Sequence, residues 1–191
     1  VISANDLGFI NNDKTLELLK NILNTIEGLQ KWNGHLYNWY NTETKEPLFP
    51  RYVSTVDSGN FVGYLYVIKN WLESQNKCDK SQIRHQIKSD NTQNKNDIDQ
   101  IQQLLEIVNK LIKNTDFSYL YKKEQRIFSI GFNIEENKLT NSYYDLLASE
   151  ARQASLIAIA KKDVPAKHWN SLSRTLTILG KYKGLVSWSG T

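Results

Sequence analysis

The chain has 191 residues, 40% of them hydrophobic and 23% charged, a globular balance rather than a disordered one. Its net charge of +4, with a pI of about 9.0, is spread through a Lys- and Asn-rich sequence and not packed into an arginine block, which argues against nucleic acid as a partner. One cysteine, Cys78, excludes an internal disulfide, and no stretch approaches the ~20 apolar residues that cross a bilayer, so no direct membrane insertion is expected. Methionine is absent and the chain opens Val1-Ile2-Ser3-Ala4-Asn5, from which we expect a piece of a longer polypeptide.

Residues 1–10 read as the tail of a helix. A strong helix follows from Asp13 to about Leu29: Asp13 caps it, Leu16, Leu19, Leu23 and Ile26 recur at helical spacing, and Gly28 marks its end. Segment 31–57, with its aromatics and the prolines at 47 and 50, reads as extended or looped backbone. A second helix starts at Asp57-Ser58-Gly59-Asn60 and runs through Tyr64, Leu65, Ile68 and Leu72, with Asp57 or Ser58 as its cap. Residues 76–97 are almost wholly polar and form a linker or a surface helix. A third helix carries Ile98, Ile101, Leu105, Val108 and Ile112 on one stripe. Residues 117–134 suit a hairpin whose better strand is Ile127–Phe132. A fourth helix covers about Ser142 to Lys161, a fifth runs from His168 to Leu179, and Leu185-Val186-Ser187-Trp188 closes as an extended piece. The expected class is mainly α, with about five helices and one or two short β-hairpins.

On the fourth helix, Tyr143, Leu147, Ala151, Ala154, Ile157 and Ala158 fall on one apolar face at about 100° per residue. Glu150 lies seven residues from both Tyr143 and Ile157, so it projects from that face, while Arg152 and Asp145 point to the polar side. A carboxylate among apolar neighbours has its pKa raised and suits a general acid; the competing account is a buried Glu satisfied by an Arg or by backbone donors. The loop at 35–57 mixes Tyr37, Trp39, Tyr40 and Tyr52 with Asn38, Arg51, Asp57 and Ser58. Sugar rings stack their C–H faces on aromatics and pair their hydroxyls with such polar groups, so the loop suits a carbohydrate groove; the alternative is aromatic core filler. Trp188 is a stacking platform or one more packed indole. His35, His85 and His168 lack metal-ligand spacing, and no phosphate-cradling glycine motif or nucleophile elbow occurs, so neither metal nor cofactor is expected.

Four blocks carry a resemblance: Gly34-His35-Leu36-Tyr37-Asn38-Trp39-Tyr40; Pro50-Arg51-Tyr52-Val53-Ser54-Thr55-Val56-Asp57-Ser58-Gly59-Asn60; Ser142-Tyr143-Tyr144-Asp145-Leu146-Leu147-Ala148-Ser149-Glu150-Ala151-Arg152; and Ser187-Trp188-Ser189-Gly190-Thr191. Together they are similar to the glycoamylase-like domain of cyclic β-1,2-glucan synthases. The resemblance implies an (α/α)6 toroid of about twelve helices, of which residues 1–191 would be a central slice. It implies a transglycosylase that cleaves and cyclises linear β-1,2-glucan. Glu150 matches the acid/base carboxylate, and the nucleophile of a retaining mechanism lies beyond Thr191. Tyr37, Trp39, Tyr40, Arg51, Tyr52, Asp57, Ser58, Tyr143 and Trp188 would line the glucan subsites. The block at 126–134 also follows the family, without a chemical role that we can assign. The implied partners are β-1,2-glucan and the remaining domains of the parent polypeptide, and the implied location is the cytoplasmic side of the bacterial inner membrane, within a larger anchored enzyme. Exposed helix faces at the cut edges make self-association an expectation. An inverting endo-β-1,2-glucanase domain, or a carbohydrate-binding or scaffolding fragment without turnover, are the alternatives.

Overall fold

A short helix, α1 (Ile2–Asp6), precedes α2 (Asn12–Gly28) in the computed structural model, which describes residues 1–85 and 91–187. About half of the chain is helical, with six α-helices and several short antiparallel strand pairs among the described residues. The chain divides into two units, Val1–Leu29 with Tyr64–Lys113, and Gln30–Gly63 with Asn114–Thr191. The long helix α3 (Thr55–His85) contributes to both.

Among its described residues the first unit is built of helices joined by turns. Asn11, and not Asp13, caps α2: its side-chain oxygen accepts the Lys14 N–H at 2.9 Å, and Asp13 sits in the first turn, where a carboxylate suits the positive end of the helix dipole. Leu16, Leu19 and Leu23 of α2 are buried as their spacing requires, and so are Leu65 and Leu72 of α3; of the stripe expected on α4 (Asn91–Asn114), Ile101, Val108 and Ile112 are buried, but Leu104 takes the core position in place of Leu105, and Ile98 and Leu105 are only half-buried. Polar contacts tie the helices together at their edges. The Trp71 indole donates to Asn5 at 3.2 Å, the Asn12 amide to Gln75 at 3.0 Å, and Lys110 pairs with Glu27 at 2.7 Å. Of the two expectations for 76–97, a linker or a surface helix, the described part is helical: α3 continues to His85, α4 begins at Asn91, and 86–90 lie outside the described residues.

In the second unit a two-residue hairpin, β1 (Lys31–Trp32) with β2 (His35–Leu36), opens the chain. Its Gly34 has φ +82 and lies so close to the Asn114 carbonyl that a Cβ would sit 2.1 Å from that oxygen, so only glycine fits. Strand β3 (Tyr52–Ser54) pairs with β6 (Gly131–Asn133), which pairs in turn with β7 (Lys138–Leu139). The expected 127–132 strand is therefore split. Its first half, β5 (Ile127–Phe128), pairs with β4 (Tyr121–Lys122). The chain then changes partners at Ser129, whose hydroxyl donates to the Gly131 and Thr140 carbonyls and whose own carbonyl accepts from the Thr55 hydroxyl at 2.6 Å.

Helix α3 starts at Thr55, two residues before the expected Asp57, because the Ser54 hydroxyl accepts the Asp57 N–H at 3.3 Å; neither Asp57 nor Ser58 is the cap. Helix α5 (Ser149–Ala160) starts seven residues later than the expected Ser142. Residues 142–148 are bridged instead, Tyr143 to Ser129 and Asp145 to Ser173, and the Asp145 carboxylate accepts the N–H groups of Leu147 (2.8 Å) and Ala148 (3.1 Å). A buried Asp that turns the backbone in this way competes with helix up to its own position. The fifth helix is also shorter than its pattern: α6 (Lys167–Ser171) gives way to a hairpin of β8 (Leu176–Leu179) and β9 (Tyr182–Leu185) turned at Gly180. The β-branched Thr177 and Ile178, and a glycine at φ +61, favour that outcome.

Glycines let α3 and α5 approach. A Cβ at Gly59 would lie 2.5 Å from the Ala154 Cβ and 2.6 Å from its Cα, so the helices meet backbone to backbone there. Ala151, Ala154 and Ala158 are all buried on the facing side of α5.

Candidate functional site

Two buried histidines hold the second unit together and are not ligands. His35 lies in full burial between the Ser58 hydroxyl (2.8 Å from Nδ1) and the Asp116 carbonyl (2.9 Å from Nε2). A carbonyl only accepts, so Nε2 carries the proton. Burial lowers the pKa of His35 to about 4; the Asp116 hydrogen bond, next in size, works against it, and the charge of Lys161 adds a smaller lowering. His168 is built alike, with Nδ1 on the Arg126 carbonyl (3.0 Å) and Nε2 by the Ser155 hydroxyl (2.8 Å), and burial lowers its pKa as well. Among the described residues no group of three His, Cys, Asp or Glu side chains could hold a metal ion.

The expected subsite residues separate into buried and open ones. Ser58 is buried, with its hydroxyl on the Ser54 carbonyl (2.7 Å) and His35, so it is core and cannot touch a glucan. Tyr37 is buried too, packed edge-on against Tyr40, and the Tyr40 phenol closes the loop by accepting the Tyr37 N–H (2.9 Å) and donating to the Gln30 carbonyl (2.7 Å). The aromatic loop is thus partly the core filler that its composition also allowed. Trp39, by contrast, is 52% exposed and offers an indole face. Arg51 is committed to Glu135, donating from its backbone N–H (2.9 Å) and Nε (2.8 Å), and stands over the Phe49 ring at 5.1 Å. That pairing raises the Arg51 pKa and lowers that of Glu135. Tyr143 is not on the helix: its phenol accepts from Lys122 (2.9 Å) and donates to Asn141 (3.1 Å). Trp188 lies outside the described residues.

Glu150 is the main correction. With α5 beginning at Ser149, it stands in the first turn and not amid an apolar face, and it is exposed. The expected stripe fails for a plain reason. Tyr143 and Leu147 precede the helix, so the spacing that placed Glu150 between Tyr143 and Ile157 has no helix to act on. Asp145, expected on the polar side beside Arg152, is instead buried.

What the fold does bring together is centred on a residue that pattern reading passed over. The Tyr144 phenol is half-buried and its pKa is pushed up to about 12, first by burial and then by Tyr52, Asp57 and Glu150. Three expected site residues from three elements, β3, α3 and α5, therefore act on one hydroxyl. Tyr52 is fixed there by its hydrogen bond to Thr140 (2.9 Å) and by Gly131, where any Cβ would come within 2.4 Å of the Tyr52 hydroxyl. This gives the 126–134 block a structural part: β6 pairs with β3 and leaves room for the ring. Tyr144 could have been singled out only from the turn that Asp145 makes, since as sequence it is one tyrosine of a pair.

The fold is that of glucoamylase-like proteins. It superposes with a TM-score of 0.66 on a glucoamylase-like protein of Bacteroides fragilis (14% identity, 100% of this chain and 43% of that one) and of 0.69 on one from Bacteroides caccae (12% identity, 99% and 43%). In sequence, the chain is similar to the cyclic beta-(1,2)-glucan synthase NdvB of Rhizobium meliloti (strain 1021), with 27% identity over 294 aligned positions that cover 100% of this chain and 10% of that protein. The chain thus spans about a tenth of the length of this curated relative. No family model matches.

Proposed function

We propose that the chain is part of a glycoside-processing domain that acts on β-1,2-glucan, within an (α/α)6 toroid completed by sequence outside these 191 residues. The observation that carries this reading is similarity to a cyclic beta-(1,2)-glucan synthase along the whole chain, on a fold like that of glucoamylase-like proteins; Tyr52, Asp57 and Glu150 lie near enough to the Tyr144 phenol to help raise its pKa. Glu150 is the acid/base group, and a second carboxylate outside the chain is the nucleophile of a retaining transglycosylation that closes the glucan into a ring. Retaining enzymes hold two carboxyl groups about 5–5.5 Å apart, one protonating the leaving oxygen and the other attacking the anomeric carbon. Tyr144, protonated at neutral pH, is a donor for a glucan hydroxyl or for a carboxylate. Trp39 supplies a stacking face. Asp57, exposed in the first turn of α3, pairs with sugar hydroxyls. The parent polypeptide is a glucan synthase with this domain on the cytoplasmic side of the bacterial inner membrane; among the described residues no helix is long and apolar enough to cross it.

The test is E150Q in the full-length protein, followed by ring closure of linear β-1,2-glucan. A loss of about 100-fold or more is expected, the scale of a missing general acid. Unchanged cyclisation ends the reading. If the products instead form with inversion at the anomeric carbon, read by NMR during turnover, the domain is an inverting endo-β-1,2-glucanase.

The exposure of Glu150 and Trp39 favours a second reading, a carbohydrate-binding or scaffolding piece without turnover. Saturable binding of β-1,2-gluco-oligosaccharides by the parent without ring formation or new reducing ends would support it.

A further inference from the structure

A cavity of about 380 Å³ in the second unit shares no residue with the Tyr52–Tyr144–Glu150 site; Ser118, Tyr121, Lys123, Arg126, Asp163 and Lys167 line it. Its charge is lopsided. Lys123 and Arg126 come from the turn between β4 and β5, and Lys167 opens α6. Asp163 is already engaged, since its carboxylate accepts the Phe117 N–H (3.1 Å) and pairs with the nearly buried Lys161 ammonium at 2.8 Å. Among the described residues no ion pair involves Lys123, Arg126 or Lys167. Three cations thus face one cavity with its carboxylate already compensated.

Two further observations point to a ligand. The Tyr121 phenol oxygen is buried without a hydrogen-bond partner, on a side chain only 8% exposed. Buried hydroxyls are nearly always paired, so this oxygen is an unspent donor at the wall of a cationic cavity, enclosed until a lining side chain moves. The turn that carries the cations is also braced: the Arg126 N–H bonds the Lys123 carbonyl (3.3 Å), Arg126 adopts φ 56, and its carbonyl accepts from buried His168 (3.0 Å). The backbone is held while the exposed side chains stay available. A neutral glucan has no use for such charge. The volume lies within the range of small-molecule sites, about 300–1,000 Å³, and exceeds what a bare oxyanion fills.

We propose that this cavity binds a phosphoryl group carried on a small molecule, with Lys123, Arg126 and Lys167 neutralising the phosphoryl oxygens and the Tyr121 hydroxyl donating to the ligand once the Arg126 side chain turns onto it. Arg and Lys together give the fork and the point charge that phosphate recognition uses. The inference is independent of the glucan reading.

The test is calorimetric titration of the chain with glucose 6-phosphate, inorganic phosphate and glucose at fixed ionic strength, repeated on R126A, K167A and Y121F, each checked for fold by circular dichroism. Saturable binding of glucose 6-phosphate and none of glucose are expected, with affinity at least tenfold weaker in R126A and K167A and at least threefold weaker in Y121F. Binding of glucose 6-phosphate tighter than that of inorganic phosphate supports a carried phosphoryl group, while equal or tighter binding of inorganic phosphate overturns that part and assigns the site to free phosphate. No saturable binding of either anion, equal binding of glucose, or unchanged affinity in the three folded variants overturns the proposal. Failure here leaves cyclisation by the parent untouched, so it is distinguishable from failure of the glucan reading.

Discussion

An uncharged His35 is a condition of the fold. Its native pKa, about 4, lies below the ordinary 6.5 because full burial penalises the imidazolium. Above pH 6.5 neither state binds the proton, and the ring contributes no pH dependence. As pH falls from 6.5 towards 4 the unfolded chain takes up a proton that the native ring refuses, so stability falls, by about 3 kcal/mol when complete. Urea unfolding of the chain at pH 7 and pH 4.5 should show a loss of that order, and H35N should lose most of this dependence while being less stable at pH 7. Nitrogen-15 NMR should find the ring neutral at pH 5, with the proton on Nε2; a charged ring there would contradict the assignment. The sequence marked His35 only as a histidine without metal-ligand company, because a bond to a carbonyl 81 positions away leaves no trace in local pattern. Glu150 failed in the opposite way: its spacing looked informative, yet the helix that would give the spacing meaning starts one residue before it.

Local signals read elements better than boundaries. The stripes of α2, α3 and α4 were legible because leucines and isoleucines at helical spacing serve propensity and burial at once. The start of α5 was not, because it is set by Asp145, whose burial depends on the rest of the unit. Within α3, two glycines four residues apart look equivalent as sequence and are not. G59A should destabilise the chain by about 1–3 kcal/mol, since a methyl group would be driven into the backbone of α5 at Ala154. G63A meets first the Nε2 of Gln153, 2.3 Å away at the end of a flexible side chain that can turn aside, so the gain in helix propensity, about 0.5–1 kcal/mol, should offset most or all of the cost. Chemical denaturation of the two variants checks this. Equal midpoints would remove the close helix approach as the reason for glycine at 59.

At the scale of the molecule, similarity to a glucan synthase over the whole chain covers only a tenth of that protein. The chemistry proposed for Glu150 calls for a second carboxylate carried by a longer polypeptide, and binding is the property to seek nearer to this chain. W39A in the parent should weaken β-1,2-gluco-oligosaccharide affinity about fivefold, or about 1 kcal/mol, as read by calorimetry; no change would assign the exposed indole to some other contact. The helical class was legible because about half of the chain is helical and most of that half lies in long amphipathic runs. The share of the aromatic loop that faces solvent was not, since Tyr37 and Trp39 are alike in composition and differ only in what packs over them.

Asp145 does two things with one carboxylate. It turns the chain into α5, and it takes the Ser187 hydroxyl on both oxygens, at 3.1 and 2.8 Å, across 42 residues. The entry to the Glu150 helix and the arrival of the tail thereby share a single latch without a covalent link. Amide protons around Leu147–Ala148 and those of Val186 and Ser187 should then exchange with deuterium as one cooperative group, and D145N should release both together although the two segments are far apart in sequence.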